Sequence, residues 1–215
     1  MPTVQDKVRE HFEEDAVSFD AIYHEDKSAL ARLGDSLMRR VVVERYELTF
    51  ARLGDVTGKS CLDVGCGSGR YPLRFAKQGV AGAVGVDFAQ NMIDLARRLA
   101  AEHGVADTCE FICGDFLAHD FGKKFEIVTA MGFFDYIASP VTFLTKCREL
   151  CREKFIASFP KRYEWRVPIR KLRFALRGTP LYFYSRDQVA ECLREAGFAN
   201  CQITNLSRDY FVEAS

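Results

Sequence analysis

From Ser60 onward, short apolar runs alternate with longer stretches of helical period, and this alternation restricts the fold more than any other property of the chain. Cys61–Val64, Ala83–Val86, Glu110–Cys113, Glu126–Ala130 and Lys154–Ser158 are too short to be buried helices and lack the polar alternation of half-exposed strands. They are therefore expected as strands buried on both faces. Pro72–Gln78, Gln90–His103 and Pro140–Leu150 fit helices between them. Strands and helices in this order build a parallel sheet with helices on both faces. A capped helix, Ser185 to Ala196, is stopped by Gly197, and the last two segments, Phe198–Thr204 and Asp209–Ala214, are expected to pair antiparallel. The expected fold is α/β, a doubly wound, mostly parallel seven-stranded sheet. Two N-terminal helices, Val4–Asp15 and roughly Lys27–Leu53, precede the sheet as a cap.

At 215 residues the chain is expected to form one domain: a helical cap over 1–59, a core over 60–160, an insertion over 161–184 and a C-terminal part over 185–215. Thirty basic residues balance thirty acidic ones, so no global field gathers nucleic acid or an anionic membrane. The first twenty residues are acidic and hold no apolar run, and no later stretch has the length of a spanning helix; a cytoplasmic location is expected. The eight cysteines lie in apolar, periodic segments, which favours buried free thiols over disulfides. Cys109/Cys113 and Cys147/Cys151 lack the partners of a zinc site, and no metal is expected.

The chemistry is concentrated at Leu62-Asp63-Val64-Gly65-Cys66-Gly67-Ser68-Gly69. Three glycines directly after a strand and before a helix allow positive φ and close approach of backbone to a ligand, and the helix supplies free N–H groups. A nucleotide-like ligand suits such a turn. The dinucleotide fingerprint needs glycine three places after its second glycine, where this chain has Arg70. The stretch from Gly54 to Ser60 nearly spells a phosphate-binding loop. It has one residue too few between its glycines and precedes a strand, so it is read as a turn.

The loop, with Asp63 before it, resembles motif I of the class I S-adenosylmethionine-dependent methyltransferases, whose fold is Rossmann-like. The resemblance continues downstream. Val84-Gly85-Val86-Asp87 places an acid 18 residues past Gly69, suited to both ribose hydroxyls, with Phe88 and Met92 beside the adenine. Phe111-Ile112-Cys113-Gly114-Asp115-Phe116 is similar to the family's third-strand motif, which implies that Asp115 accepts from the adenine amino group and Phe116 flanks the ring. Ala130-Met131-Gly132 falls where the family lays backbone beside the methionine moiety. The resemblance thus implies S-adenosyl-L-methionine as cofactor, S-adenosyl-L-homocysteine as product, and a site formed by Asp63, Gly65, Cys66, Gly67, Gly69, Asp87, Phe88, Met92, Asp115, Phe116 and Met131. Helix capping by Asp87 and an ordinary turn at Asp115 are the alternatives.

The acceptor is expected beyond the carboxyl ends of the fourth and fifth strands. Phe133-Phe134-Asp135-Tyr136 follows the fourth; Phe133 and Tyr136 are candidate walls, with Asp135 and Tyr136 as polar or catalytic groups, or else a capped turn with core aromatics. No Asn-Pro-Pro-Tyr sequence follows that strand, which disfavours DNA bases and amide nitrogens as acceptors. Phe19–His24 resembles a cofactor-closing helix of small-molecule members, which implies a cofactor contact for Tyr23 and a base role for His24; a solvated histidine is the alternative.

The insertion carries Lys161, Arg162, Arg166, Arg170, Lys171, Arg173 and Arg177 against Glu164 alone. Arg166, Arg170, Arg173 and Arg177 recur at helical spacing, as expected of a basic amphipathic lid. Arg162, Arg166 and Arg170 are candidate partners for an acidic group of the acceptor; contact with anionic lipid, or pairing with the acidic Glu10–Asp15 segment, is also open. The order of cap, core and basic insertion resembles magnesium-protoporphyrin O-methyltransferases and quinone-biosynthesis methyltransferases. That implies a small-molecule acceptor, anionic or phenolic, methylated on oxygen rather than nitrogen. A dinucleotide-dependent oxidoreductase and a non-catalytic cofactor-binding protein are the competing readings.

Overall fold

The structure, a computed structural model, describes residues 29–162 and 181–215, with side chains of the first helix from residue 41. Among the described residues the order is α1 (Ala29–Leu53), β1 (Ser60–Val64), α2 (Arg70–Lys77), β2 (Gly82–Asp87), α3 (Gln90–Glu102), β3 (Cys109–Cys113), β4 (Phe125–Ala130), a 3-10 turn (Phe134–Tyr136), α4 (Pro140–Leu150), β5 (Cys151–Pro160), α5 (Arg186–Glu195), β6 (Cys201–Asn205) and β7 (Asp209–Ala214). The strands form one seven-stranded sheet in the order β3-β2-β1-β4-β5-β7-β6. Only β7 runs antiparallel to its neighbours, β5 and β6. Strand order reverses between β1 and β4, and the loops at their carboxyl ends open a crevice there.

Among the described residues the expected elements are present, with three differences of physical origin; the expected helix Val4–Asp15 and the helical spacing of the insertion lie outside them. Glu110–Cys113 was expected to be buried on both faces, but β3 is an edge strand with only Phe111 buried and Glu110 exposed. Strand β5 runs through ten residues, longer than Lys154–Ser158, because it pairs β4 on one side and the returning β7 on the other. Strand β6 begins at Cys201; Phe198 turns inward after Gly197 and stacks on Phe155. Cys61, Cys66, Cys147 and Cys151 are buried thiols as expected, whereas Cys201 is exposed on the outer strand.

Helix α1 covers one face of the sheet: Phe50 and Leu53 pack with Val56, Phe75, Ile127, Ile156 and Phe211. The other face is sealed around Leu62, Val128, Phe134, Phe155, Phe159 and Leu193. Burying a side chain of this size removes about 1.5–3 kcal/mol of apolar exposure each, so the sheet is a rigid platform for its loops. Ser185 and Gln188 form a reciprocal capping box that starts α5. Among the described residues no helix is long and apolar enough to cross a membrane.

Candidate functional site

Each glycine of the Gly65–Gly69 turn has positive φ, but their surroundings differ. A β-carbon on Gly65 would lie 2.7 Å from Phe133 Cδ2. One on Gly69 would meet Phe111 Cε1 at 2.7 Å and the Ala96 methyl at 2.9 Å, so this glycine lets α3 and β3 pack against the turn. Gly67 has nothing within 4 Å of that position. The middle of the turn is an open cradle between two packed ends. Cys66 supplies backbone here: its thiol is buried against Gly85, whose missing side chain makes room for it, and burial pushes the thiol pKa up.

Two carboxylates flank the cradle. Asp87, at the end of β2, accepts from Gly67 N–H at 2.9 Å and from Ala89 N–H at 3.0 Å, one on each oxygen. It thereby joins the glycine turn to the start of α3, whose cap residue is Ala89, and each oxygen keeps a lone pair for a hydroxyl group. Burial pushes the Asp87 pKa up. Asp63 is 2% exposed; Thr129 donates to its Oδ1 at 2.6 Å, while Oδ2 has no hydrogen-bond partner. Burial pushes the Asp63 pKa up to about 7, with the Thr129 hydrogen bond opposing and the Asp87 charge adding to the shift. An open cradle, a carboxylate with spare lone pairs and a buried acceptor without a donor together suit a ligand with vicinal hydroxyls and an ammonium group.

Phe88 is half-buried beside Ala89, with Met92 packed beneath at 2% exposure. Asp115 is exposed and accepts from Leu117 N–H at 2.9 Å, while Phe116 is buried and stacks on Phe143. Met92 and Phe116 therefore back the site from within the core, and Phe88 and Asp115 offer the accessible groups.

Beyond β4, Phe133 lies edge-to-face with both Phe134 and Phe143. Phe134 belongs to the core, stacked on Phe159 at 4.2 Å, and Asp135 is buried within the 3-10 turn that Phe133 caps. Met131, Phe133 and Tyr136 are half-buried. The turn is held by the chain that returns from the insertion: Tyr182 N–H donates to the Asp135 carbonyl, and the Tyr184 hydroxyl donates to the Ile137 carbonyl, with the Phe134 carbonyl 3.4 Å away. Arg162 N–H donates to the Tyr184 carbonyl at 2.8 Å, so both ends of the insertion meet at the carboxyl ends of β4 and β5. The Arg162 side chain is exposed there.

Arg45 was not singled out from the sequence, where an arginine in a helix lacks any distinguishing pattern. It reaches from α1 to Ser158 Oγ at 3.2 Å and to Asp209 at 3.6 Å, and the same hydroxyl accepts from Gly132 N–H at 2.9 Å. Its Nη1 would lie 3.3 Å from a β-carbon on Gly132. A cation is thus held where β4 ends. Phe143 was missed because it reads as an ordinary apolar residue of a helix. Tyr23, His24, Arg166 and Arg170 lie outside the described residues, as does the acidic Glu10–Asp15 segment.

Residues 61–154 match the family described as "Methyltransferase domain". The ubiquinone biosynthesis O-methyltransferase of Neisseria meningitidis serogroup C (strain 053442) is 30% identical over 154 residues, 66% of this chain and 65% of that protein. The chain thus spans 65%, just under two thirds, of the length of this curated relative. The crystal structure of magnesium protoporphyrin IX methyltransferase from Synechocystis PCC 6803, solved with bound S-adenosylhomocysteine, superposes with a TM-score of 0.77 at 19% identity, covering 96% of this chain and 97% of that one. Sheet order, glycine turn, strand-end acids and these similarities agree: residues 61–154 carry a methyltransferase domain, and the chain has the fold of, and is similar to, the class I S-adenosylmethionine-dependent methyltransferases.

Proposed function

We propose that the protein transfers the sulfonium methyl of S-adenosylmethionine to an oxygen of a small acidic or phenolic acceptor, releasing S-adenosylhomocysteine. The open cradle at Gly67, between Asp87 and the unpartnered Asp63 Oδ2, carries this reading. In it Asp87 accepts from the ribose hydroxyls, Phe88 and Asp115 meet the adenine, and Asp63 faces the ammonium end. Arg45, held beside Gly132, is placed for the methionine carboxylate, and Tyr23 is a further candidate for the same end.

The bound cofactor supplies an activated methyl group, and displacement at its carbon needs an aligned nucleophile more than a dedicated catalyst. Phe133 and Phe143 wall the adjoining space with half-buried aromatic surface, which suits a ring-bearing acceptor. Arg162, with Arg166 and Arg170 of the insertion, is proposed to pair with an acid group. Proton removal is assigned to Asp135, Tyr136 or His24. Oxygen is favoured over nitrogen by the 30% identical relative, whose name is that of an O-methyltransferase.

Incubation with methyl-labelled cofactor and a panel of phenols, carboxylic acids and amines tests the reading. Label is expected in ethers or esters. Transfer to amines alone would overturn the oxygen assignment. Failure across the panel and across cell extracts, despite tight cofactor binding, would indicate a non-enzymatic role.

A further inference from the structure

The turn that presents Asp115 and Phe116 has little secondary structure of its own, and one side chain from a distant helix holds it. Lys146, in α4, donates to the carbonyl of Leu117 at 2.9 Å and to that of His119 at 2.6 Å. The turn is otherwise closed by two local bonds, Leu117 N–H to Asp115 Oδ1 and His119 N–H to the Asp115 carbonyl at 3.0 Å. The Lys146 ammonium also lies 5.2 Å from the Phe116 ring centre and 5.6 Å from that of Phe121. Phe116 in turn stacks on Phe143, one turn before Lys146 on the same helix. A single half-buried cation thereby fixes two carbonyls and two rings of a seven-residue span, Asp115 to Phe121.

We propose that Lys146 is a positioning residue for base recognition: it holds the 115–121 turn so that the Asp115 carboxylate faces the exocyclic amino group of the adenine. The proposal rests on the cofactor reading above. Carbonyl groups of a loop pull toward water when they lack donors, and an ammonium with three N–H groups can satisfy two and still face aromatic rings. An apolar side chain of similar length would fill the same volume and leave both carbonyls unpaired. The turn would then adopt several arrangements, and the Asp115 carboxylate would lose its fixed direction. The contacts of Lys146 are with the turn itself, so its effect is expected in how well the site distinguishes the base.

The test compares the dissociation constant of S-adenosylhomocysteine with that of S-inosylhomocysteine, in which a carbonyl replaces the amino group. Calorimetry on the full chain measures both for the wild type, Lys146→Met, Lys146→Arg and Asp115→Asn. The wild type is expected to prefer the adenosyl compound by at least tenfold, and Lys146→Met to reduce that preference to within about threefold, mainly by weakening the adenosyl compound. Lys146→Arg, which keeps several donors, is expected to restore most of the preference. If the Met variant does not fold, Lys146→Gln, which keeps an uncharged NH2 group on a shorter stem, is expected to give an intermediate ratio. A tenfold preference retained in Lys146→Met, or in Lys146→Gln where that variant stands in, overturns the role of Lys146 while leaving Asp115 in place. Lack of preference in the wild type, or a preference unaffected by Asp115→Asn, overturns the adenine reading itself and the proposal with it.

Discussion

Phe133 lies across Gly65 so closely that a methyl group on the glycine would sit 2.7 Å from the ring. The first glycine of the turn therefore accommodates a side chain from the loop after β4, joining the proposed cofactor turn to the proposed acceptor wall. Gly65→Ala meets both this ring and a φ of +70°, and is expected to destabilise the fold by about 2–4 kcal/mol. Removing the ring relieves only the first cost. In urea denaturation, Gly65→Ala/Phe133→Ala should be less destabilised than the sum of the single variants by about 1–2 kcal/mol. Strict additivity would show that the ring yields freely.

Gly67 and Gly69 separate binding from packing. Gly67→Ala adds a methyl where nothing lies within 4 Å, so its stability cost is confined to the backbone angle, about 1–2 kcal/mol. Its S-adenosylhomocysteine affinity should nevertheless fall by at least tenfold, because the ligand needs that space. Gly69→Ala collides with Phe111 and Ala96, and its loss should appear first in the melting temperature. Thermal denaturation and ligand titration on both variants check the contrast; equal effects would remove the assignment of the cradle.

Asp63 gives the cofactor-free protein a specific pH dependence. Its pKa in the fold is about 7, raised by burial from the ordinary 3.8. Between these values the folded state retains a proton that the unfolded chain has released, so this group's contribution to stability declines as pH rises from about 4 through 7. Asp63→Asn removes the titration and keeps an oxygen for the Thr129 hydroxyl. The variant should therefore gain melting temperature relative to wild type at pH 8 but not at pH 4.5, while binding S-adenosylhomocysteine more weakly at pH 8. A melting-temperature difference that is flat with pH would refute the assignment.

Arg45 couples α1 to the sheet edge of the crevice through Ser158 and Asp209. Arg45→Ala leaves the buried Asp209 short of a cation and should cost roughly 3 kcal/mol. Asp209→Asn should recover part of that stability in the double variant without recovering cofactor affinity. Recovery of both would make Arg45 purely structural.

The sheet and the glycine turn were legible in the sequence because both are local patterns. Five apolar runs with helices between them encode a parallel sheet, and Gly65-Cys66-Gly67-Ser68-Gly69 is contiguous. The different tasks of its glycines were not legible, since they depend on Phe133, Phe111 and Ala96, which are distant in sequence. Arg45 and Lys146 escaped for the same reason: each acts by reaching backbone or side chains of other elements. The burial of Met92 and Phe116 also depends on tertiary packing, which a resemblance in motif order does not report.

The most direct test of the central claim is calorimetric titration of the full chain with S-adenosylhomocysteine and, separately, with NAD. Saturable binding of S-adenosylhomocysteine at one site per chain is expected, weakened by Asp87→Ala by about 1–3 kcal/mol, with no binding of NAD. Saturable binding of NAD with none of S-adenosylhomocysteine would contradict the claim.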